Sequence, residues 1–250
     1  MKSTIRFKKG TKKGTIVMLH GNSSSSMVFD PVFKSELPYS LMAFDLLGHG
    51  ETQRDGKYGF SDQMEHILSN IATIDDDILL AGNSLGGHLA IEVAEEIKNL
   101  KGLLVFGTSP LRKPLNMEEA FLSSPGLSTF FEENPNSEDL DVALNMAVFN
   151  KSTISLLKKD FLRADPKVRS VLTAEIGTLS DEVALFSTLS CLKFVIQGDE
   201  EPIVNPAYLD VIKQVIHFEL IEMKDCGHCP SIEKPDEFVQ HLRSIAEKAF

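Results

Sequence analysis

The chain has 250 residues, 42% hydrophobic and 24% charged, a size and balance that suit one globular domain with a large core. A net charge of −11 argues against nucleic acid and anionic membrane surfaces as partners, and the three cysteines, Cys191, Cys226 and Cys229, are too few and odd in number for a disulfide framework. No leader-like apolar run follows Met1 and no stretch reaches about 18 apolar residues, so a cytoplasmic protein without a membrane partner is expected; a homodimer is left open.

In chain order, Lys2, Arg6, Lys8, Lys9, Lys12 and Lys13 read first, as a solvated edge strand guarded by its charges. Apolar runs at 16–19, 41–44, 78–81, 103–106, 192–196 and 218–221 are mostly uninterrupted, as in strands covered by helices on both faces, and predict a parallel sheet. Helices are predicted at 62–74 behind Ser61 as cap, at 85–98, at 206–216 and at 235–249. The alternation stops between 109 and 189, where Pro110, Pro114, Pro125, Pro135 and Pro166 interrupt helical patches at 137–149 and 152–162. The expected organisation is an α/β core of 1–108 and 190–250 carrying an inserted helical cap of 109–189.

Gly82-Asn83-Ser84-Leu85-Gly86-Gly87 lies where the third apolar run meets a helix. A serine on so sharp a turn exposes its hydroxyl at a helix N-terminus, and Gly82 and Gly86 remove Cβ atoms that would collide there. Such a serine needs a base and an orienting acid further along the chain. His228, in Cys226-Gly227-His228-Cys229-Pro230 after the last strand, is the candidate base; the other histidines lie in helices, near helix ends or after earlier strands. Asp199, Glu200 and Glu201 compete for the acid. Glu201, held extended by the following Pro202, is favoured, with Asp199 in reserve.

The order Ser84, Glu201, His228 resembles that of α/β-hydrolase-fold serine hydrolases, and the likeness covers nearly the whole chain. His20-Gly21-Asn22-Ser23 looks like the family's oxyanion loop, which implies that the backbone N–H groups of Asn22 and Leu85 form the oxyanion hole. The stretch from Asp45 to Thr52 resembles the D-x-x-G-H-G-x-S turn with threonine for serine. Gly198 to Val204 is similar to the acid loop, and Gly227 to Pro235 to the G-H-x-x-x-x-E-x-P ending. Within the family, the His-Gly-Asn-Ser-Ser-Ser stretch, the elbow and Glu201 are most similar to acyl-homoserine-lactone lactonases, beside carboxylesterases. Two departures stand out: only one strand fits before residue 16, and no tyrosine lies between Tyr58 and Tyr208.

The resemblance implies hydrolysis of a small ester or lactone through an acyl-enzyme, without cofactor or metal. Of the cap phenylalanines Phe121, Phe130, Phe131, Phe149, Phe161 and Phe186, two or three are expected at the substrate, with Phe121 and Phe149 named for that place; the Asn22 side chain either binds substrate or ties down its loop. Cys226-x-x-Cys229 around His228 lacks the further ligands of a zinc site. His88 and Glu92, four apart on one helix, likewise lack a third ligand and read as surface or packing residues. Perhydrolysis, carbon–carbon bond hydrolysis and non-catalytic ligand binding also occur on this fold and stay open.

Overall fold

In the computed structural model, which describes residues 5–52 and 54–250, each uninterrupted apolar run has become a strand or the core of one. The strands are β1 (Ile5–Lys8), β2 (Thr15–Leu19), β3 (Ser40–Phe44), β4 (Ile78–Asn83), β5 (Leu100–Phe106), β6 (Leu192–Gly198) and β7 (Glu219–Met223). They form one sheet in the order β1-β3-β2-β4-β5-β6-β7, parallel except for β1, which runs antiparallel to β3. The chain therefore has the α/β-hydrolase architecture expected, with the N-terminal hairpin reduced to one strand among the described residues.

Because strand side chains alternate between faces, the sheet builds two cores. Val17, Leu19, Leu80 and Val105 pack on one face against the helices Phe60–Ile71 and Leu85–Val93, through Ile67, Ile71, Leu89 and Val93. Ile16, Met18, Leu79 and Phe106 pack on the other against the helix Pro235–Ala249, through Phe238, Leu242 and Ile245. This double cover is why β2, β3 and β4 are buried along their whole length.

The edge differs from its expectation. Lys2 lies outside the described residues, but Arg6 pairs with Asp30 at 2.8 Å, and Lys8 donates to the carbonyls of Phe33 and Ser35. These side chains clamp β1 to the helix Asp30–Lys34 rather than merely surrounding it with charge. Helix ends also moved. The predicted 62–74 helix is Phe60–Ile71: Asp62 accepts the Gly59 N–H at 3.2 Å, capping the helix from its first turn and leaving Ser61 inside it. The 85–98 helix is Leu85–Val93 followed by a tighter turn, Ala94–Glu96, and the 206–216 helix ends at Ile212.

Between β5 and β6 the chain forms helices and loops, with one isolated bridge from Phe121 to Val204. No helix among the described residues is long and apolar enough to cross a membrane. The sheet register brings the functional loops together: Leu19 pairs with Gly82, Asn83 with Phe106, and Gly198 with Met223. The turns after β2, β4, β5, β6 and β7 consequently leave from one edge, where parallel sheets of this kind carry their sites.

Candidate active site

The turn after β4 is strained at Ser84, which has φ 52° and ψ −120°. Such a conformation costs of order 1–3 kcal/mol for a residue with a side chain and persists only where neighbours enforce it. Here the Ser84 N–H donates to Phe106 O at 2.9 Å, and Thr108 Oγ1 donates to Ser84 O at 2.9 Å. A Cβ on Gly82 would sit 2.2 Å from Gly86 O, and one on Gly86 would sit 2.4 Å from Leu19 O, so the turn closes only with glycine at both places. The helix Leu85–Val93 starts at the next residue, directing its dipole at the serine.

The loop after β2 lies against this turn; a Cβ on Gly21 would be 3.2 Å from Ser84 Cβ. His20 sets its course. Its imidazole is fully buried, and burial lowers its pKa, so it is neutral: Nδ1–H donates to Gly21 O at 2.8 Å while Nε2 accepts the Leu46 N–H at 2.9 Å. Among the described residues, neither the Asn22 N–H nor the Leu85 N–H has a protein partner. The Asn22 amide donates to Phe130 O at 2.9 Å, which ties the loop to the helical insertion.

A second tie, which the sequence reading did not anticipate, comes from Arg169. It is buried, and donates to Ser23 Oγ at 3.1 Å and to the carbonyls of Glu132 and Glu133 at 2.6 and 2.5 Å. Its guanidinium lies 4.1 Å from the centre of the Phe161 ring. The residue it grips, Ser23, has φ 53°. Arg169 thus helps hold a left-handed backbone next to Asn22.

His228 faces Glu201, whose two carboxylate oxygens are 2.9 and 3.0 Å from Nδ1. Glu201 also accepts the N–H groups of Ile203 and Val204, which aims its carboxylate, whereas Asp199 and Glu200 are exposed. Burial works against charge on His228, but the charge and hydrogen bond of Glu201, aided by Glu233, outweigh it and raise the imidazole pKa. The histidine loop is fixed by three anchors. The His228 N–H donates to Ala147 O at 2.9 Å, and Asn83 Nδ2, next to the strained serine, donates to His228 O at 3.1 Å. Glu233, buried, accepts from the N–H groups on both sides of the histidine, at Gly227 and Cys229, and from Phe149 and Asn150. The sequence carried Glu233 only as part of a motif and gave Asn83 no role; both act by fixing backbone.

Asn22, Ser84, Leu85 and His228 line one cavity of about 750 Å³, whose other walls come largely from the segment between β5 and β6. Four of the six phenylalanines in the segment between β5 and β6 reach it, Phe121, Phe130, Phe131 and Phe161, rather than the two or three expected. Phe149 does not. Its N–H is held by Glu233, the neighbouring Val148 takes the buried position, and its ring is 46% exposed outside the cavity. Phe186 is buried in the core.

His88 also lines the cavity and is buried, not a surface residue; Glu182 lies 2.9 Å from its Nδ1. Glu92 packs separately, accepting from the N–H and hydroxyl of Ser180. Cys226 and Cys229 are free, buried thiols whose pKa values burial raises. Among the described residues no group of three or more His, Cys, Asp or Glu side chains is placed to hold a metal ion.

Comparison with known proteins adds the wider context. Residues 16–241 match the model of the alpha/beta hydrolase family. The chain is 22% identical to Lipase 1 of Psychrobacter immobilis, over 93% of this chain and 77% of that protein. It is 23% identical to the proline iminopeptidase PfmaB of Pestalotiopsis fici, over 93% and 92%. Among solved structures, the N-acyl homoserine lactonase AidH complexed with N-butanoyl homoserine superposes with a TM-score of 0.87 at 25% identity, covering 99% of this chain and 93% of that one.

Proposed function

Because this chain belongs to the alpha/beta hydrolase family, we propose that it cleaves a carboxylic ester or lactone of a small, partly hydrophobic substrate through an acyl-enzyme on Ser84. The observation that carries the reading is the pairing of His228 Nδ1 with Glu201 at 2.9 Å in the same cavity that holds a serine strained at a helix N-terminus. With Nδ1–H committed to Glu201, the other ring nitrogen of His228 is the one left to accept a proton.

In the first half-reaction, Ser84 Oγ bonds to the carbonyl carbon and its proton passes to His228. The carbonyl electrons move onto oxygen, which the N–H groups of Asn22 and Leu85 stabilise. Each such donor is worth about 3 kcal/mol of barrier when it is already aimed at the oxyanion. Collapse breaks the bond to the alcohol oxygen, which leaves with the proton from His228; in a lactone the same oxygen stays tethered to the acyl part. Water, deprotonated by His228, then attacks the acyl-enzyme, releasing the acid and returning the proton to Ser84. The insertion 109–189 serves as the cap that supplies the apolar wall.

An N-acyl homoserine lactone is the specific substrate the reading favours. The fold similarity to the lactonase AidH and the phenylalanine-lined cavity support it. Recognition here cannot use a cap tyrosine: Tyr58 donates to Asp165 and Tyr208 to Pro110 O. The test is a panel of p-nitrophenyl esters of graded acyl length beside acyl-homoserine lactones, with acid release followed by mass spectrometry and with fluorophosphonate labelling of Ser84. Lactone opening that improves with acyl length supports the full reading. Turnover of short esters alone reduces it to a carboxylesterase, and absence of both turnover and labelling overturns it.

A further inference from the structure

His88 and Glu182 repeat, in the same cavity, the arrangement of His228 and Glu201. His88 follows Ser84 by four residues, in the first turn of the helix that begins at Leu85, and its N–H donates to Ser84 O at 3.2 Å. Both Glu182 oxygens are within 3.0 Å of His88 Nδ1, and Oε2 also accepts the Leu111 N–H at 2.8 Å. A carboxylate that accepts in every one of these contacts holds an imidazole N–H at Nδ1, so that in the neutral ring the lone pair is on Nε2.

That nitrogen is free. Among the described residues His88 Nε2 has no hydrogen-bond partner, and it is not sealed away as the unpartnered Nε2 of His49 is. Glu182 is fully buried on the insertion, and burying a carboxylate is expensive for a contact that only joins two helices. The rest of the lining indicates what would meet the lone pair. Among the described residues no lysine or arginine lines the cavity, while Glu118 does, so an anionic group would find no permanent cation there. An uncharged N–H or O–H donor would otherwise face phenylalanine and leucine and remain unpaired.

We propose that His88, oriented by Glu182, is the specificity residue of this cavity: its Nε2 accepts a hydrogen bond from an uncharged N–H or O–H donor that the substrate carries close to the scissile carbonyl. The assignment rests on the ester-cleaving reading of Ser84, His228 and Glu201, and it adds the polar feature that the apolar walls lack. An N-acyl homoserine lactone has such a donor, the amide N–H on the carbon beside its ring carbonyl.

The experiment uses two esters that differ by one group, phenyl N-acetylglycinate and phenyl 4-oxopentanoate, in which CH₂ replaces the N–H. The ratio of their kcat/KM values is compared in the unaltered protein and in His88→Leu. The ratio is expected to fall about tenfold in the variant, with 4-oxopentanoate turnover and fluorophosphonate labelling of Ser84 retained. An unchanged ratio overturns the proposal, as does an equal loss on both esters, which would make the pair a strut between helices. Phenyl hydrogen succinate is the third substrate; a preference for it that vanishes in His88→Leu overturns the uncharged-donor assignment in favour of anion binding.

A second measurement covers failure of His88→Leu to fold or failure of the protein to cleave esters. In ¹⁵N-histidine-labelled Ser84→Ala, methyl N-acetylglycinate should move the His88 Nε2 resonance upfield and methyl 4-oxopentanoate should not. Equal responses, or none, sink the subsite. Loss of ester cleavage in the unaltered protein with this NMR difference intact would instead remove the hydrolase reading and leave the subsite standing.

Discussion

The sheet edge and the helical insertion contribute to one cavity by different means. At the edge, position is set by backbone: glycines that admit no Cβ, a strained serine braced by its neighbours, and strand pairs such as Leu19 with Gly82 that align the loops. The insertion reaches the same place through long-range ties, from Asn22 to Phe130, from Arg169 to Ser23 and from His228 to Ala147. The proposed chemistry thus rests on local constraint at the edge and on long-range ties from the segment between β5 and β6. The comparison predicts that changes at the edge abolish turnover and that changes at the ties reduce it.

The sharpest separation should come from the nucleophile. Ser84→Ala is expected to lower ester turnover by about 10⁴–10⁶-fold with little change in stability, since the alanine relinquishes only the hydroxyl. Residual turnover above a tenth of the original in steady-state assays would place the reaction somewhere other than the edge.

Next in size is the acid. Glu201→Gln should lower turnover by about 10³–10⁴-fold, and Asp199→Asn, at an exposed neighbour, by less than about twofold. The pH profile gives an independent check. In the proposed mechanism only neutral His228 acts as a base, and its pKa is raised by Glu201, so kcat/KM should climb with pH through a value above the ordinary 6.5. In Glu201→Gln burial is left to dominate, so the acid limb should move to lower pH even as the plateau falls. A limb that stays in place would detach Glu201 from the imidazole.

The tie through Arg169 tests the insertion's part. Arg169→Met removes a cation gripping four oxygens and stacked on Phe161; the lost hydrogen bonds should lower unfolding free energy by about 2–4 kcal/mol. Turnover should fall about tenfold as Ser23 and the adjacent Asn22 N–H lose their support. Denaturant unfolding and kinetics on one sample decide the matter: lower stability with unaltered turnover would show that the edge positions the oxyanion loop without help.

The same division explains what could be read from the sequence. Strands, elbow, His228 and Glu201 were legible because each is encoded in a few contiguous residues with fixed geometry: an apolar run, two glycines around a serine, a proline after a glutamate. Asn83, Arg169 and Glu182 were not, since their partners lie far along the chain and nothing in the local pattern marks them; Arg169 meets Ser23 across 146 positions, and Glu233, visible in its motif, gave no sign of its hold on Phe149 and Asn150. Helix ends moved for a related reason. The cap of Phe60–Ile71 is Asp62 reaching back to Gly59, and the more obvious Ser61 is inside the helix.

The smallest expected effect concerns the cavity wall, where Phe149, named from the sequence for the substrate, and Phe130, which was not, have environments opposite to that reading. Phe130 lines the cavity and meets Phe161 edge-on, with ring centres 6.3 Å apart, while Phe149 is exposed outside it. Each methylene that Phe130 covers contributes up to about 0.8 kcal/mol, so Phe130→Ala should flatten the gain in kcat/KM with acyl length by several-fold between butyl and octyl chains. The same series on Phe149→Ala should match the unaltered protein within about twofold, since that ring covers no substrate and its anchor to Glu233 is through the backbone. Should Phe149→Ala flatten the series instead, substrate chains would have to leave the cavity past the end of the helix Ser137–Ala147. The insertion would then be an open rim and not a wall.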